Sequence, residues 1–322
     1  MNKATEAVIL SAARTPIGKF QGALSSVPAT QLGAIAVKAA VERAGINPEE
    51  IEEVILGNVV QAGEGQAPAR QSGIYAGVPA TVSASTINKV CGSGLKAAML
   101  ASQAVRAGDA DLFVAGGFES MSRAPYLVSG RSGELKFGNQ ALTDALLSDG
   151  LWDPFENWGM GNAAEFIGEE YEVTREAMDR WSLESHQKAV AAQEAGKFKE
   201  EIVPVQIPGR KGEVTVIDKD EGPRKDTSLE ALSKLKPAFK PDGKVTPGNS
   251  SPMNDGGAAV VISSRDYAEK NNLKPLARIV GYTQAAVEPK YLFAAPAQAI
   301  PKLLNKIGWT LNDVDLIELN EA

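Results

Sequence analysis

The chain reads as an α/β protein, with helices on both faces of a largely parallel or mixed sheet, built as two related halves with an insertion in the first. Three observations predict this. Short β-branched runs alternate with helical patterns near the start. A strand-helix-strand pattern from the first part returns close to the end. Between them lies a polar, tryptophan-bearing stretch that follows neither period.

In order, Ala7 to Ala12 (AVILSA) is a buried strand and Thr30 to Ala44 a helix that Gly45 stops. Val54 to Val60 (VILGNVV) is the next strand. A helix from about Gly94 to Ala107 is closed by Gly108, and Leu112 to Gly116 (LFVAG) follows as a strand. Near-continuous apolar strands of this kind belong in a sheet covered on both faces. From Glu119 the character changes: Trp152, Trp158, Trp181 and the polar helix Thr174 to Ala195 interrupt the alternation. Gly257 to Ser263 (GAAVVIS) then resumes a buried strand.

The repeat pairs Val37–Asn58 with Ile300–Glu321. With Gly45 laid on Gly308, each copy has an apolar helix, a glycine stop, a short acidic helix start (Pro48 to Ile51, Leu311 to Val314) and a strand (Glu53 to Leu56, Leu316 to Leu319). Upstream, Ala7–Ala12 matches Ala277–Tyr282. A period this long indicates duplicated domains. The first copy continues for about 60 residues past Asn58, whereas the second ends at Ala322. A half-built sheet exposes an edge, so roughly 60 to 75 further residues are expected to complete it. The resulting division is 1–118 for the first half, 119–247 for the inserted loop domain, 248–270 for the return, and 271–322 for the start of the second half.

With 43% hydrophobic and 23% charged residues the chain is an ordinary globular protein. The net charge of −7 argues against nucleic-acid binding, which needs a basic face. The segment 196–244 nevertheless carries a local balance of +2, against −9 for the remainder, so a polyanionic small ligand could dock there. A merely solvated surface fits the same count. No apolar run approaches the ~20 residues of a membrane span, no leader pattern opens the chain, and one cysteine forms no intrachain disulfide. A cytoplasmic protein without membrane or nucleic-acid partners is expected.

That cysteine, Cys91, lies in NKVCGSGLKAA (88–98). A lone cysteine can be simply a small buried hydrophobe. Three local features favour chemistry. Gly92 and Gly94 allow a tight turn and close approach of a ligand. A sulfur just before a helix meets the positive end of the helix dipole, which favours the thiolate. The following helix is apolar enough to hold it rigidly. A base is harder to find, since the only histidine, His186, sits in the polar helix and reads as a surface residue. The turn-rich GNSSPMNDGGA (248–258) is either a tight Asn-Asp-Gly turn or a loop presenting Ser250 or Ser251 to a ligand.

VCGSG (90–94), VAGGFESMSRAPY (114–126), GNSSPMNDGGAAV (248–260) and the terminal ELNEA (318–322) together resemble the thiolase family, over Ala7 to Ala322. The likeness within it is to the branch that acts on acetoacetyl-CoA, the acetyl-CoA acetyltransferases. The resemblance implies two similar α/β halves in an αβαβα layered arrangement with a loop domain inserted in the first. It implies a homodimer or homotetramer. It implies no permanently bound cofactor and no metal, with coenzyme A and acyl-CoA as substrates.

Roles carry over to matching positions. Cys91 would take the acyl group as an enzyme thioester, its backbone N–H lining one oxyanion hole, and Asn320 would hold the water of another. Ser251 would bond the pantetheine arm and Arg224 of EGPR (221–224) would lie near the adenosine phosphates. Leu151, Met160 and Phe239 would line the pantetheine tunnel. The chain departs from the family pattern in having no GHP histidine and no CxGGG second cysteine. Gly159 precedes Met160 where many acetoacetyl-CoA enzymes carry histidine, and Pro252 replaces a usual glycine. Three alternatives stay open: a thiolase for longer 3-ketoacyl chains, a related condensing enzyme, and a non-catalytic CoA-binding or assembly fragment completed in trans.

Overall fold

The computed structural model describes residues 5–128, 130, 133 and 137–322. By contact the chain divides into two units: 1–150, 198–222 and 253–279 form the first, and 151–197, 223–252 and 280–322 the second.

The first unit is organised by a mixed sheet. Its strands are β1 (Ala7–Arg14), β2 (Gly18–Lys19), β3 (Glu53–Gly57), β4 (Ser83–Ile87) and β5 (Leu112–Ser120), with two later strands, Asn254–Ser264 and Ala277–Arg278. The order is Ala277–Arg278, β1, Asn254–Ser264, β5, β3, β4, with β2 paired to the end of Asn254–Ser264. β3 runs parallel to both β4 and β5, while Asn254–Ser264 is antiparallel to β1 and β5. The expectation of a parallel or mixed sheet resolves to mixed, because the strand that closes the insertion returns between β1 and β5.

Helices α1 (Ala29–Ala44) and α2 (Pro68–Tyr75) cover one face, where Val37, Val54, Leu56, Val114 and Val261 are buried together. α3 (Ser93–Ala107) covers the other through Ala97, Ala101 and Val105 against Ile55, Phe113 and Ile262. α1 and α3 end at Gly45 and Gly108, both left-handed (φ 66° and 82°), a conformation that β-carbons disfavour. The hairpin Val205–Pro208/Val214–Ile217 also belongs here. Asp220 anchors its segment to β1 through paired bonds from Arg14 at 2.7 and 3.0 Å.

The second unit contains the helices Met160–Glu170, Arg175–Glu194, Leu229–Ser233 and Ala295–Ile307. Thr174 caps Arg175–Glu194 by accepting from the Ala177 N–H at 3.1 Å. Glu165, almost wholly buried, accepts from the backbone N–H groups of Lys244 and Val245 at 2.9 and 2.8 Å, fixing the 240–246 segment to the first helix. The helix Ala295–Ile307 ends at left-handed Gly308, followed by the 3-10 turn Leu311–Asp313, as the first copy ends at Gly45 before Pro48–Glu50.

Three expected strands differ. Val54–Val60 ends at Gly57, beyond which no ladder pairing with β4 or β5 continues among the described residues. Leu316–Leu319 is not a strand; no ladder pairs it among the described residues, and Leu316, Ile317 and Leu319 are exposed. Ala277–Tyr282 shortens to Ala277–Arg278, because its partner β1 begins at Ala7 and the last bond is Ile279 N–H to Ala7 O. Among the described residues no helix is long and apolar enough to cross a membrane.

Candidate active site

The parallel strands β3, β4 and β5 all point their C-terminal ends the same way, and Cys91 follows β4 at that end. In open α/β sheets this is where ligands bind. The thiol is free and exposed, so Cys91 is not packing core.

The turn that carries it is held by short bonds. Ser93 Oγ accepts from the Lys89 N–H at 2.8 Å and donates to the Val90 carbonyl at 2.6 Å, while Asn88 Oδ1 accepts from the Val90 N–H at 2.9 Å. Val90 itself sits at φ +47°, a left-handed conformation that a β-branched residue adopts only under constraint. Such outliers cluster at functional sites, where surrounding bonds over-determine them. Cys91 is thereby set immediately before the N-terminus of α3, whose dipole favours an anion.

Beneath this turn is a floor without side chains. A β-carbon on Gly57 would lie 2.4 Å from Ser93 Cβ and 2.9 Å from Gly94 N. One on Gly117 would lie 3.2 Å from Gly57 O and 3.4 Å from Gly94 Cα. The ends of β3 and β5 therefore let α3 settle directly on the sheet. Sequence reasoning named Gly92 and Gly94 but missed Gly57 and Gly117; the available signal was glycine at the C-terminal ends of two otherwise apolar strands.

It also missed two carboxylates at the same end of the sheet. Glu119 accepts from the backbone N–H of Val59 and, at 3.4 Å, of Val60. Burial nevertheless pushes its pKa up to about 6. Burial, and then the charge of Glu119, push Glu64 up to about 7, with a side-chain bond to Asn58 acting the other way. Among the described residues, Glu64 Oε2 and Asn58 Oδ1 are both buried acceptors without a hydrogen-bond partner. Protonation of Glu64, the direction in which burial pushes it, would turn one of its acceptor oxygens into a donor.

Both folded-state values lie above the ordinary carboxylate value of 4.5, so this contribution to stability is complete below about pH 4.5 and is lost as pH rises towards 7. Glu64→Gln, which carries a permanent donor, is expected to flatten the decline in urea midpoint between pH 5 and 7.5. An unchanged slope in the variant would rule out this role for Glu64.

The other sequence-derived residues lie in the second unit. Leu151 is half-buried just before Trp152–Asp153, which pairs with Trp158–Gly159, and Met160 opens the next helix. Phe239 reaches that helix: a β-carbon on Gly161 would fall 2.3 Å from its ring, and its carbonyl accepts from Asn162 Nδ2 at 3.1 Å. The three tunnel candidates thus come from adjoining elements of one unit. Ser251 is exposed, directly after Ser250, whose hydroxyl is spent on the Thr246 carbonyl at 2.6 Å. Arg224 is exposed in a turn. Asn320 lies in the extended C-terminal segment, in the second unit, whereas Cys91 is in the first.

His186 is not a bare surface histidine. Its Nδ1 accepts from the Arg224 N–H at 3.1 Å. Burial first, then Arg224, hold its pKa below the ordinary value, with Glu321 and Asp226 acting oppositely.

The chain matches the model of the thiolase N-terminal domain over residues 7–266 and that of the thiolase C-terminal domain over 273–322. It is 51% identical over 318 residues to an acetyl-CoA acetyltransferase of Cupriavidus necator, covering 99% of this chain and 81% of that protein. It is 48% identical over 318 residues to a probable acetyl-CoA acyltransferase of Staphylococcus aureus, with the same two coverages. The crystal structure of the Bacillus anthracis acetyl-CoA acetyltransferase superposes with a TM-score of 0.96 at 42% identity, over 100% of this chain and 81% of that one. The chain therefore belongs to the thiolase family, as a homologue of its acetyl-CoA acetyltransferases.

Proposed function

We propose that the protein catalyses reversible thiolytic cleavage and Claisen condensation of a 3-ketoacyl-CoA, interconverting acetoacetyl-CoA plus CoA with two acetyl-CoA. The observation that carries this reading is the exposed Cys91 thiol, set at the start of α3 by a strained turn that Asn88 and Ser93 hydrogen-bond. In the synthetic direction the sulfur adds to the acetyl-CoA carbonyl carbon, the bond to CoA sulfur breaks, and the thiol proton ends on free CoA. Exchange of one thioester for another is nearly isoenergetic, so it divides a hard carbon-carbon step into two reversible ones. An α-carbanion of a second acetyl-CoA then attacks the acyl carbon; the Cys91 thioester breaks, and the α-proton restores the thiol.

Leu151, Met160, Phe239, Ser251 and Arg224 hold the coenzyme A portion in this reading, and Asn320 supports an oxyanion hole. Coenzyme A is a substrate and no cofactor stays bound. The chain's only cysteine is Cys91 and its only histidine is His186. The 322 residues alone are therefore proposed to perform the acylation step and to lack the base and the second cysteine of the carbon-carbon step. We also assign 1–118 with 248–270 to one duplicated half, 119–247 to the insertion, and 271–322 to the opening of the second half of an αβαβα arrangement. The repeated glycine stops at Gly45 and Gly308 support this. A homodimer or homotetramer is supported by β4, an edge strand flanked in sequence by the exposed Tyr75 and Val90. A single free thiol suits the cytoplasm.

Intact-mass measurement after incubation with acetyl-CoA is expected to show one added acetyl group, mapped by peptide digestion to the segment containing Cys91. An acetyl group that maps elsewhere, or none, would overturn the assignment.

A further inference from the structure

The second unit contains a polar device that the acyl-transfer chemistry does not use. His186 lies in the interior of the twenty-residue helix Arg175–Glu194, which is among the most regular elements of that unit. Opposite it, residues 222–226 form an irregular turn with no ladder or helix of its own. An irregular turn is positioned by whatever side chains grip its backbone. The Arg224 N–H donates to His186 Nδ1 at 3.1 Å, and Lys225 Nζ meets Glu194 at 2.6 Å, so the same helix grips two successive residues. The Arg224 side chain is meanwhile largely exposed, its Nε 3.9 Å from Asp226.

An imidazole nitrogen that accepts a hydrogen bond carries no proton, so the contact exists only with neutral His186, protonated on Nε2. The groups facing this ring are Arg224 and Asp226 from the turn and the carboxylate of Glu321. That carboxylate is itself engaged by Trp181 Nε1 at 2.9 Å and Ser185 Oγ at 2.6 Å.

We infer that His186 is a positioning residue, whose neutral imidazole holds the Arg224 turn so that the guanidinium is presented to the phosphates of the adenosine end of coenzyme A. This rests on the reading of Arg224 as a CoA contact. Protonation of Nδ1 removes the acceptor and places a second cation beside Arg224, so the turn is released as pH falls. Burial and Arg224 both favour the neutral ring, which keeps the contact intact at neutral pH.

The test is calorimetric titration of the chain with CoA and, separately, with pantetheine, which lacks the adenosine phosphates. His186→Ala is expected to weaken CoA binding about fivefold, the weight of one neutral hydrogen bond, and to leave pantetheine binding unchanged. His186→Asn, which puts an acceptor where Nδ1 stood, is expected to stay within about twofold of wild type, whereas His186→Gln behaves like alanine. Wild-type affinity should fall relative to His186→Asn as pH is lowered below the ordinary histidine range, a comparison in which the ligand's own ionisation cancels. Equal affinity of His186→Ala and wild type for CoA, or an equal loss for pantetheine, overturns the positioning role while leaving CoA recognition standing. Absence of CoA binding by the wild-type chain overturns CoA recognition and this role together.

Discussion

Cys91→Ser is expected to eliminate the acetyl adduct and to slow acylation by acetyl-CoA at least about a thousandfold, on the scale of losing a catalytic nucleophile, with no measurable change in folding stability. The two halves of this expectation come from different observations. Chemically, serine keeps the position but replaces sulfur, the better nucleophile, by a hydroxyl that needs a strong base, and His186 is this chain's only histidine. Structurally, the side chain is exposed, and the bonds that shape its turn come from Asn88 and Ser93. Exposed substitutions away from such bonds fall within ±0.5 kcal/mol or so. Stopped-flow acylation and a urea midpoint, measured on the same preparation, check both. Retained acylation would remove Cys91 from the mechanism. A large loss of stability would mean that the thiol is a packing group after all.

The order of elements was legible because their signals are local. Gly45 and Gly308 stop two helices at matching places, each followed by a short 3-10 turn, as the repeat predicts. The position of Cys91 before a helix was readable for the same reason: glycines on either side of Ser93 mark a turn. What was not legible depends on neighbours distant in sequence. Leu316–Leu319 has the composition of a strand, but a strand exists only against a partner, and none of the described residues pairs with it. The raised pKa values of Glu64 and Glu119 arise from burial and, for Glu64, also from the charge of Glu119, across 54 intervening positions that no spacing rule connects. The His186 contact likewise joins residues from either side of the 198–222 segment, so a helical histidine with ordinary surroundings was the natural reading.

Gly57→Ala is expected to cost about 2 kcal/mol of folding stability, within the usual range for overpacking, and to slow acylation of Cys91 by one to two orders of magnitude. The added methyl would stand 2.4 Å from Ser93 Cβ and 2.7 Å from the Ser93 carbonyl carbon, distances no pair of carbons tolerates. β3 cannot retreat, because it is hydrogen-bonded to β5 on one side and β4 on the other. The relief must come from α3, and its first residue, Ser93, is the one whose hydroxyl fixes Lys89 and Val90 around the thiol. A displacement of about 1 Å at a reacting group costs on the order of a hundredfold in rate. Gly94→Ala separates this effect from a general intolerance of the CGSG turn. Its β-carbon would meet the Gly116 carbonyl oxygen at 3.6 Å and the Gly116 carbonyl carbon and Gly117 nitrogen at 3.7 Å, all ordinary contacts, and alanine in a helix is favoured over glycine by up to ~1 kcal/mol. Gly94→Ala should therefore fold at least as stably as wild type while Gly57→Ala does not. Equal stability of the two variants would show that the glycine floor under α3 is not what seats the cysteine.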